Sequence, residues 1–157
     1  MKYDAKNKFM QMAIEEAREG INKGHGGPFG AVIVKDGKVI AKGHNEVIYK
    51  KDPTCHGEIQ AIRKACKKLK TYNLSGCEIY TTGEPCHMCL SAIIWAKIDK
   101  IYYGCSIKDN AKIGFRDKYI DSLFGGREKL QDVMEQVDRD ACVELFDYYL
   151  TLDNRKY

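Results

Sequence analysis

Residues 29–41 read Phe29-Gly30-Ala31-Val32-Ile33-Val34-Lys35-Asp36-Gly37-Lys38-Val39-Ile40-Ala41. Two short apolar runs, 29–34 and 39–41, flank Lys35-Asp36-Gly37-Lys38. Asp-Gly between apolar runs signals a hairpin, because the tight turn needs positive φ at both central positions. Two antiparallel strands are therefore expected here. Upstream, between residues 6 and 23, Phe9, Met10, Ala13, Ile14, Ala17 and Ile21 recur at helical spacing and form one apolar face. Gly24-His25-Gly26-Gly27 stops that helix.

Downstream, Asp52-Pro53-Thr54 breaks the chain and offers a cap for a helix running to about Leu69. Residues 78–82 read as a strand. Pro85 suits the first turn of a further helix ending near Lys97, where its missing N–H has no partner to lose. Residues 101–103 form another strand. Beyond them the pattern weakens: 134–137 reads as a short strand or as the end of a helix starting near Arg127. Residues 138–150 read as a helix with Val143, Phe146 and Leu150 on one side. The order helix, strand, strand, helix, strand, helix, strand, then a helical C-terminal region predicts an α/β fold. It is a mixed sheet covered by helices on both faces. The third and fourth strands require a helical crossover.

A chain of 157 residues is expected to form a single domain, 1–157, with one sizeable core. Its 44% hydrophobic and 31% charged residues are ordinary for a soluble protein. No apolar run approaches the roughly eighteen residues of a membrane span, and the N-terminus lacks a signal-peptide core, so a cytoplasmic location is expected. The formal charge of +4 is spread along the chain. Lys50-Lys51 and Lys67-Lys68 read as solvated faces and not as a nucleic-acid footprint. The seven cysteines are odd in number, which argues against a disulfide framework and leaves metal binding open.

Two segments carry the chemistry: Thr54-Cys55-His56-Gly57-Glu58 and Glu84-Pro85-Cys86-His87-Met88-Cys89. Cys86 and Cys89 stand three apart on the expected helix, as neighbours on one face. His56 can supply a third ligand from the start of the other helix. Helix N-termini carry partial positive charge, which helps hold thiolates deprotonated. Three ligands leave the fourth tetrahedral position open, as a catalytic zinc requires. Zinc lowers the pKa of a water it holds from about 15.7 to about 7. Glu58, two residues after His56, would take that proton and return it to the ring nitrogen and then to the leaving amine. H-x-E followed by P-C-x-x-C is the signature of zinc deaminases. A redox C-x-x-C would leave the H-x-E unexplained, and no second C-x-x-C exists to complete a structural four-cysteine site. Cys55, Cys66, Cys77, Cys105 and Cys142 read as small core hydrophobes, and His87 as structural. His25 and His44 acquire no role.

At these motifs the sequence resembles the cytidine deaminase superfamily and, within it, the bacterial guanine deaminases. The likeness extends through Gly26-Gly27-Pro28-Phe29-Gly30-Ala31-Val32-Ile33-Val34-Lys35-Asp36-Gly37, Asp52-Pro53-Thr54, Ala61-Ile62-Arg63-Lys64-Ala65-Cys66, Trp95-Ala96, Gly114-Phe115 with Asp117, and the terminal Lys156-Tyr157. The resemblance implies a three-layer α/β/α sandwich around a central mixed sheet of about five strands. It implies one zinc per chain and hydrolysis of guanine to xanthine and ammonia. It also implies a homodimer in which residues 138–157, a helix and tail, cross to the partner. Position by position, it implies that Asn45 binds the base, that Phe29 and Trp95 lie in or near the pocket, that Asp117 belongs to the purine site and that Tyr157 closes it. An acid before that family's last helix falls at Asp140, with Asp in place of Glu, so the resemblance makes Asp140 a catalytic candidate at the pocket beside Glu58 and Asp117. The triplet His56-Gly57-Glu58 departs from His-Ala-Glu toward the form of fungal-type cytosine deaminases, which lack the Gly114-to-Asp117 segment and the terminal tyrosine. The tRNA adenosine deaminases share the zinc motif, but no dedicated basic RNA-binding tail is present.

Overall fold

The computed structural model describes residues 5–124 and 133–152. Its elements run α1 (Lys8–Asn22), β1 (Gly30–Lys35), β2 (Lys38–His44), α2 (Val47–Lys50), α3 (Gly57–Leu69), β3 (Cys77–Gly83), α4 (His87–Trp95), β4 (Lys100–Cys105), α5 (Ile107–Lys112), α6 (Lys118–Phe124), β5 (Met134–Gln136) and α7 (Arg139–Thr151). The five strands form one sheet in the order β2-β1-β3-β4-β5. β1 is antiparallel to β2 and β3, and β3, β4 and β5 are mutually parallel. This is the mixed, helix-covered sheet that the alternation of elements predicts.

The hairpin turn is as expected. Asp36 and Gly37 have φ of 49° and 72°, both positive, as a type I′ turn requires. Because successive side chains of a strand point to opposite faces, β1 feeds two cores. Val32 and Val34 join Met10, Ile14 and Ala17 of α1 and Leu145, Phe146 and Tyr149 of α7. Ala31 and Ile33 join Ala61 and Ala65 of α3, with Leu90 and Ile93 of α4. A strand buried on both faces reads as a continuous apolar run, which is why residues 30–34 show no alternation.

The structure corrects several boundaries. The helix expected from residues 52–54 starts only at Gly57, because the Asp52 carboxylate accepts from Thr54 N at 2.8 Å and Thr54 Oγ1 at 2.6 Å, closing a turn. Pro85 does not enter the first helical turn: Cys86 is the N-cap of α4. Residues 134–136 are strand, their register set by pairing of Met134 with Ile101. Arg127, where the alternative helix would begin, lies outside the described residues, as does Tyr157 with the rest of 153–157. The short α2, α5 and α6 offer too few turns for periodicity to reveal, although Ser106 and Asp109 form a capping box on α5. Among the described residues no helix is long and apolar enough to cross a membrane.

Strand direction decides where a site can form. β1 begins at Gly30 opposite the end of β2 at His44, and β3 and β4 end together at the Gly83–Cys105 pair. The residues just before β1 and just after β2, β3 and β4 therefore converge on one end of the sheet. In open α/β sheets, ligands bind at the carboxyl ends of parallel strands.

Candidate active site

Phe29 precedes β1, Asn45 follows β2, and Glu84 and Cys86 follow β3, so all meet at that end of the sheet. His56 and Cys86 are the N-caps of α3 and α4, both with extended backbone, at φ −69°, ψ 159° and φ −67°, ψ 171°. This aims their side chains off the helix starts toward each other. Cys89, one turn into α4, is buried behind Cys86 and donates its N–H to Cys86 Sγ at 3.5 Å. Cys86 is thus a cap and not a helical residue, and the two thiols meet through this capping geometry.

His56 Nδ1 lies 3.7 Å from Cys86 Sγ and 3.5 Å from Cys89 Sγ. Tetrahedral zinc, at about 2.0–2.1 Å from nitrogen and about 2.3 Å from sulfur, sets nitrogen and sulfur about 3.6 Å apart. The three ligand atoms fit that edge, and all lie within 4.8 Å of one another. The donor set therefore suits zinc, with His56, Cys86 and Cys89 as its holders.

The charges are arranged to match. The Cys86 thiol is drawn down to about 4, chiefly by a hydrogen bond from the Cys89 thiol and further by His56, against the opposing effect of burial. Cys89 is pushed well above its ordinary value by that same hydrogen bond and by burial. His56 rises, because Cys86, Glu58 and Asp117 outweigh the desolvation that acts against it. The carboxyl of Glu58 is buried and pushed up by that burial, with the Cys86 charge adding to the effect and His56 opposing it. A carboxyl raised toward the working pH is suited both to accept a proton and to return it.

A cavity of about 450 Å³ opens onto this cluster and is lined by Phe29, Asn45, His56, Glu58, Cys86, Phe115 and Asp117, among others. Cavities of roughly 300–1,000 Å³ are typical of small-ligand sites. Phe29 and Phe115 meet edge to face, with centroids 5.0 Å apart, and form an aromatic wall. Gly57 passes so close to that wall that a Cβ on it would stand 2.9 Å from the Phe29 carbonyl oxygen, a local reason for glycine in the triplet.

Two residues expected near the pocket are placed elsewhere. Trp95 is 83% exposed at the end of α4, because Cys89, Leu90 and Ile93 take the buried side of that helix. The Asp140 side chain is 82% exposed and 3.6 Å from Arg139 Nη1. Ala141, Cys142 and Leu145 form the buried side of α7 and turn Asp140 away. Conversely, Glu84, Asn110 and Arg116 line the cavity without having been singled out. Asn110 and Arg116 lie close to the Gly114-Phe115-Asp117 segment, and Glu84 directly precedes Pro85-Cys86, so proximity to both motifs was the available signal. His87, between the two cysteines, points away from the ligands and hydrogen-bonds Asp121 of α6 at 2.7 Å. Cys55, Cys77, Cys105 and Cys142 are buried and Cys66 half-buried, all as free thiols.

Comparisons with known proteins agree with this geometry. Residues 4–105 match the family model of the cytidine and deoxycytidylate deaminase zinc-binding region. The chain is 53% identical over 112 residues to the guanine deaminase of Bacillus subtilis (strain 168), spanning 71% of this chain and 72% of that protein. It is 43% identical over 108 residues to the tRNA-specific adenosine deaminase of Aquifex aeolicus (strain VF5), spanning 69% and 71%. The X-ray structure of guanine deaminase from Bacillus subtilis superposes with a TM-score of 0.72 at 43% identity, covering 95% of this chain and 96% of that one. With the His56, Cys86 and Cys89 donor set and the buried Glu58 beside it, the chain belongs to the cytidine and deoxycytidylate deaminase family and is a zinc-dependent hydrolytic deaminase.

Proposed function

We propose that this enzyme hydrolyses guanine to xanthine and ammonia. The observation that carries the reading is a pocket wall rich in acceptors. Asp117 and Glu84 both line the cavity, and a carboxylate accepts hydrogen bonds and donates none, so the wall favours a ligand that brings donors. Guanine presents two adjacent donors, N1–H and the 2-amino group, whereas cytosine and adenine pair a ring acceptor with an amino donor. The similarity to the Bacillus guanine deaminase supports the same choice.

In this reading the flat base packs against the wall formed by Phe29 and Phe115, which excludes water, while Asn45 and Asp117 orient it. Zinc, when bound, supplies the Lewis acidity that makes water nucleophilic near neutral pH. Glu58 takes one proton from the attacking water at its carboxylate and delivers it to the ring nitrogen; it then takes the second proton of that water, from the oxygen now bonded to carbon, and gives it to the leaving amine, which departs as ammonia. The dimer belongs to the same proposal: Met88, Ile94 and Trp95 expose apolar surface on α4 and suit burial against a second copy. Sedimentation of Trp95→Lys beside the unaltered protein tests that interface.

Ammonia release from guanine, cytosine, adenosine and tRNA tests the substrate. Guanine should be fastest, and Asp117→Ala should reduce turnover of guanine most. Faster release from cytosine would move the enzyme to the cytosine deaminases. Release from tRNA alone would place it with the adenosine deaminases, to which the Aquifex relative points.

A further inference from the structure

Behind the wall formed by Asn45 lies a second cluster of donor atoms, which deamination does not use. His25, in the loop after α1, His44, at the end of β2, and Glu46 each bring one ligand atom within 4.8 Å of the others. His25 Nδ1 and His44 Nε2 are 2.8 Å apart. Glu46 Oε1 stands 3.9 Å from each of these nitrogens.

The surrounding residues hold this cluster in place. His44 Nδ1 donates to the buried Glu16 carboxylate at 2.9 Å, which turns the Nε2 lone pair toward His25 and Glu46. A carboxylate behind an imidazole is the usual support of a metal-ligating histidine, since it fixes the tautomer and raises basicity. Lys50, at 2.9 Å, and Gln60 bind Glu46 Oε2, leaving Oε1 as the oxygen that faces the rings. The Tyr49 ring stacks on His25 with centroids 4.4 Å apart. α1 passes so close that a Cβ on Gly20 would stand 2.8 Å from His44 Cγ, so only glycine there leaves room for the ring. Burial and the neighbouring His44 lower the pKa of His25, which keeps it in the neutral form that ligates.

We propose that His25, His44 and Glu46 form a second metal site, separate from the His56–Cys86–Cys89 centre, for a divalent transition ion such as Zn2+, Ni2+ or Co2+. Two imidazoles and one carboxylate without thiolate suit these ions, and not Mg2+ or Ca2+, which prefer oxygen donors. Adjacent nitrogens of an octahedral ion, each at about 2.1 Å, lie about 3.0 Å apart, close to the spacing of the two rings. Binding needs the His25 proton to move to Nε2 and Glu46 to turn inward. Because His44, Asn45 and Glu46 are consecutive, an ion held there braces the strand end that carries Asn45 into the pocket.

The test uses untagged enzyme brought to one zinc per chain, then dialysed against Ni2+ and counted by elemental analysis. The unaltered protein should hold one zinc and one nickel per chain. His25→Ala should keep the zinc and lose the nickel, and Glu46→Gln should bind nickel about tenfold more weakly or worse, with circular dichroism confirming that both variants are folded. Cys86→Ala should lose the zinc and keep the nickel, which separates this site from the catalytic one. Nickel gained only as zinc is lost, nickel retained equally by His25→Ala, or none retained by the unaltered protein would overturn the proposal.

Discussion

Gly26 backs directly onto Asn45. A Cβ on Gly26 would stand 2.9 Å from Asn45 Cγ and 2.9 Å from the Asn45 carbonyl oxygen, and closer still to Oδ1. Asn45 is buried at the cavity wall, with its Oδ1 accepting from Val47 N at 3.0 Å. The glycine therefore determines where the amide lies. Gly26→Ala should displace Asn45, raise KM and lower kcat/KM while leaving zinc content unchanged. Steady-state kinetics beside elemental analysis check this, and an unchanged kcat/KM would show that Asn45 does not position the substrate.

The zinc should depend on both thiols. Cys86→Ala or Cys89→Ala removes one of three ligands from a site whose spacing fits tetrahedral zinc. Each variant should lose the catalytic metal and the activity together. Full zinc content in either, by elemental analysis, would mean that the metal is held elsewhere.

Glu58→Gln should separate metal from catalysis. Gln keeps the size and hydrogen bonding of the buried carboxyl but cannot accept the proton. Zinc should remain, and turnover should fall by about 10²–10⁴-fold. Near-normal turnover in the purified variant would require another base.

Acid stability should report on Asp109. Hydrogen bonds from Arg139 and Ser106 overcome its burial and hold its carboxyl at about 2, below its ordinary value of 3.8. Arg139 reaches it at 2.9 Å and 2.6 Å, tying α7 to α5. A carboxyl with a depressed folded-state pKa stabilises the fold above the unfolded value, and that contribution is lost as pH falls through the folded value. Asp109→Asn should therefore melt below the unaltered protein at pH 6. The gap should narrow as pH falls below about 3.8 and close near pH 2. Melting curves at four or five pH values are sufficient, and a gap independent of pH would remove Asp109 ionisation as the cause.

His87 and Asp121 illustrate the limit of a motif. The 2.7 Å bond between them ties α4, which carries the zinc cysteines, to α6. The sequence spacing puts His87 off the ligand face but names no partner, since Asp121 lies 34 residues away. His25 and His44 behaved in the same way: 19 residues apart, without shared periodicity, they looked like isolated side chains and proved to be neighbours.

What the sequence determined by itself was local or recurrent. Asp36-Gly37 specified the hairpin because few dipeptides accept two positive φ angles. Helical spacing placed α1, and the H-x-E with P-C-x-x-C named the zinc holders, because metal chemistry admits few residue types at such spacing. The tertiary structure alone decided which distant residues meet. It brought Asn110 and Arg116 into the cavity, put Trp95 and Asp140 on the outside, and set His25 against His44. The reason is geometric. A residue's neighbours across a sheet depend on strand order and on which helix face is buried, and both are set by packing of the whole core.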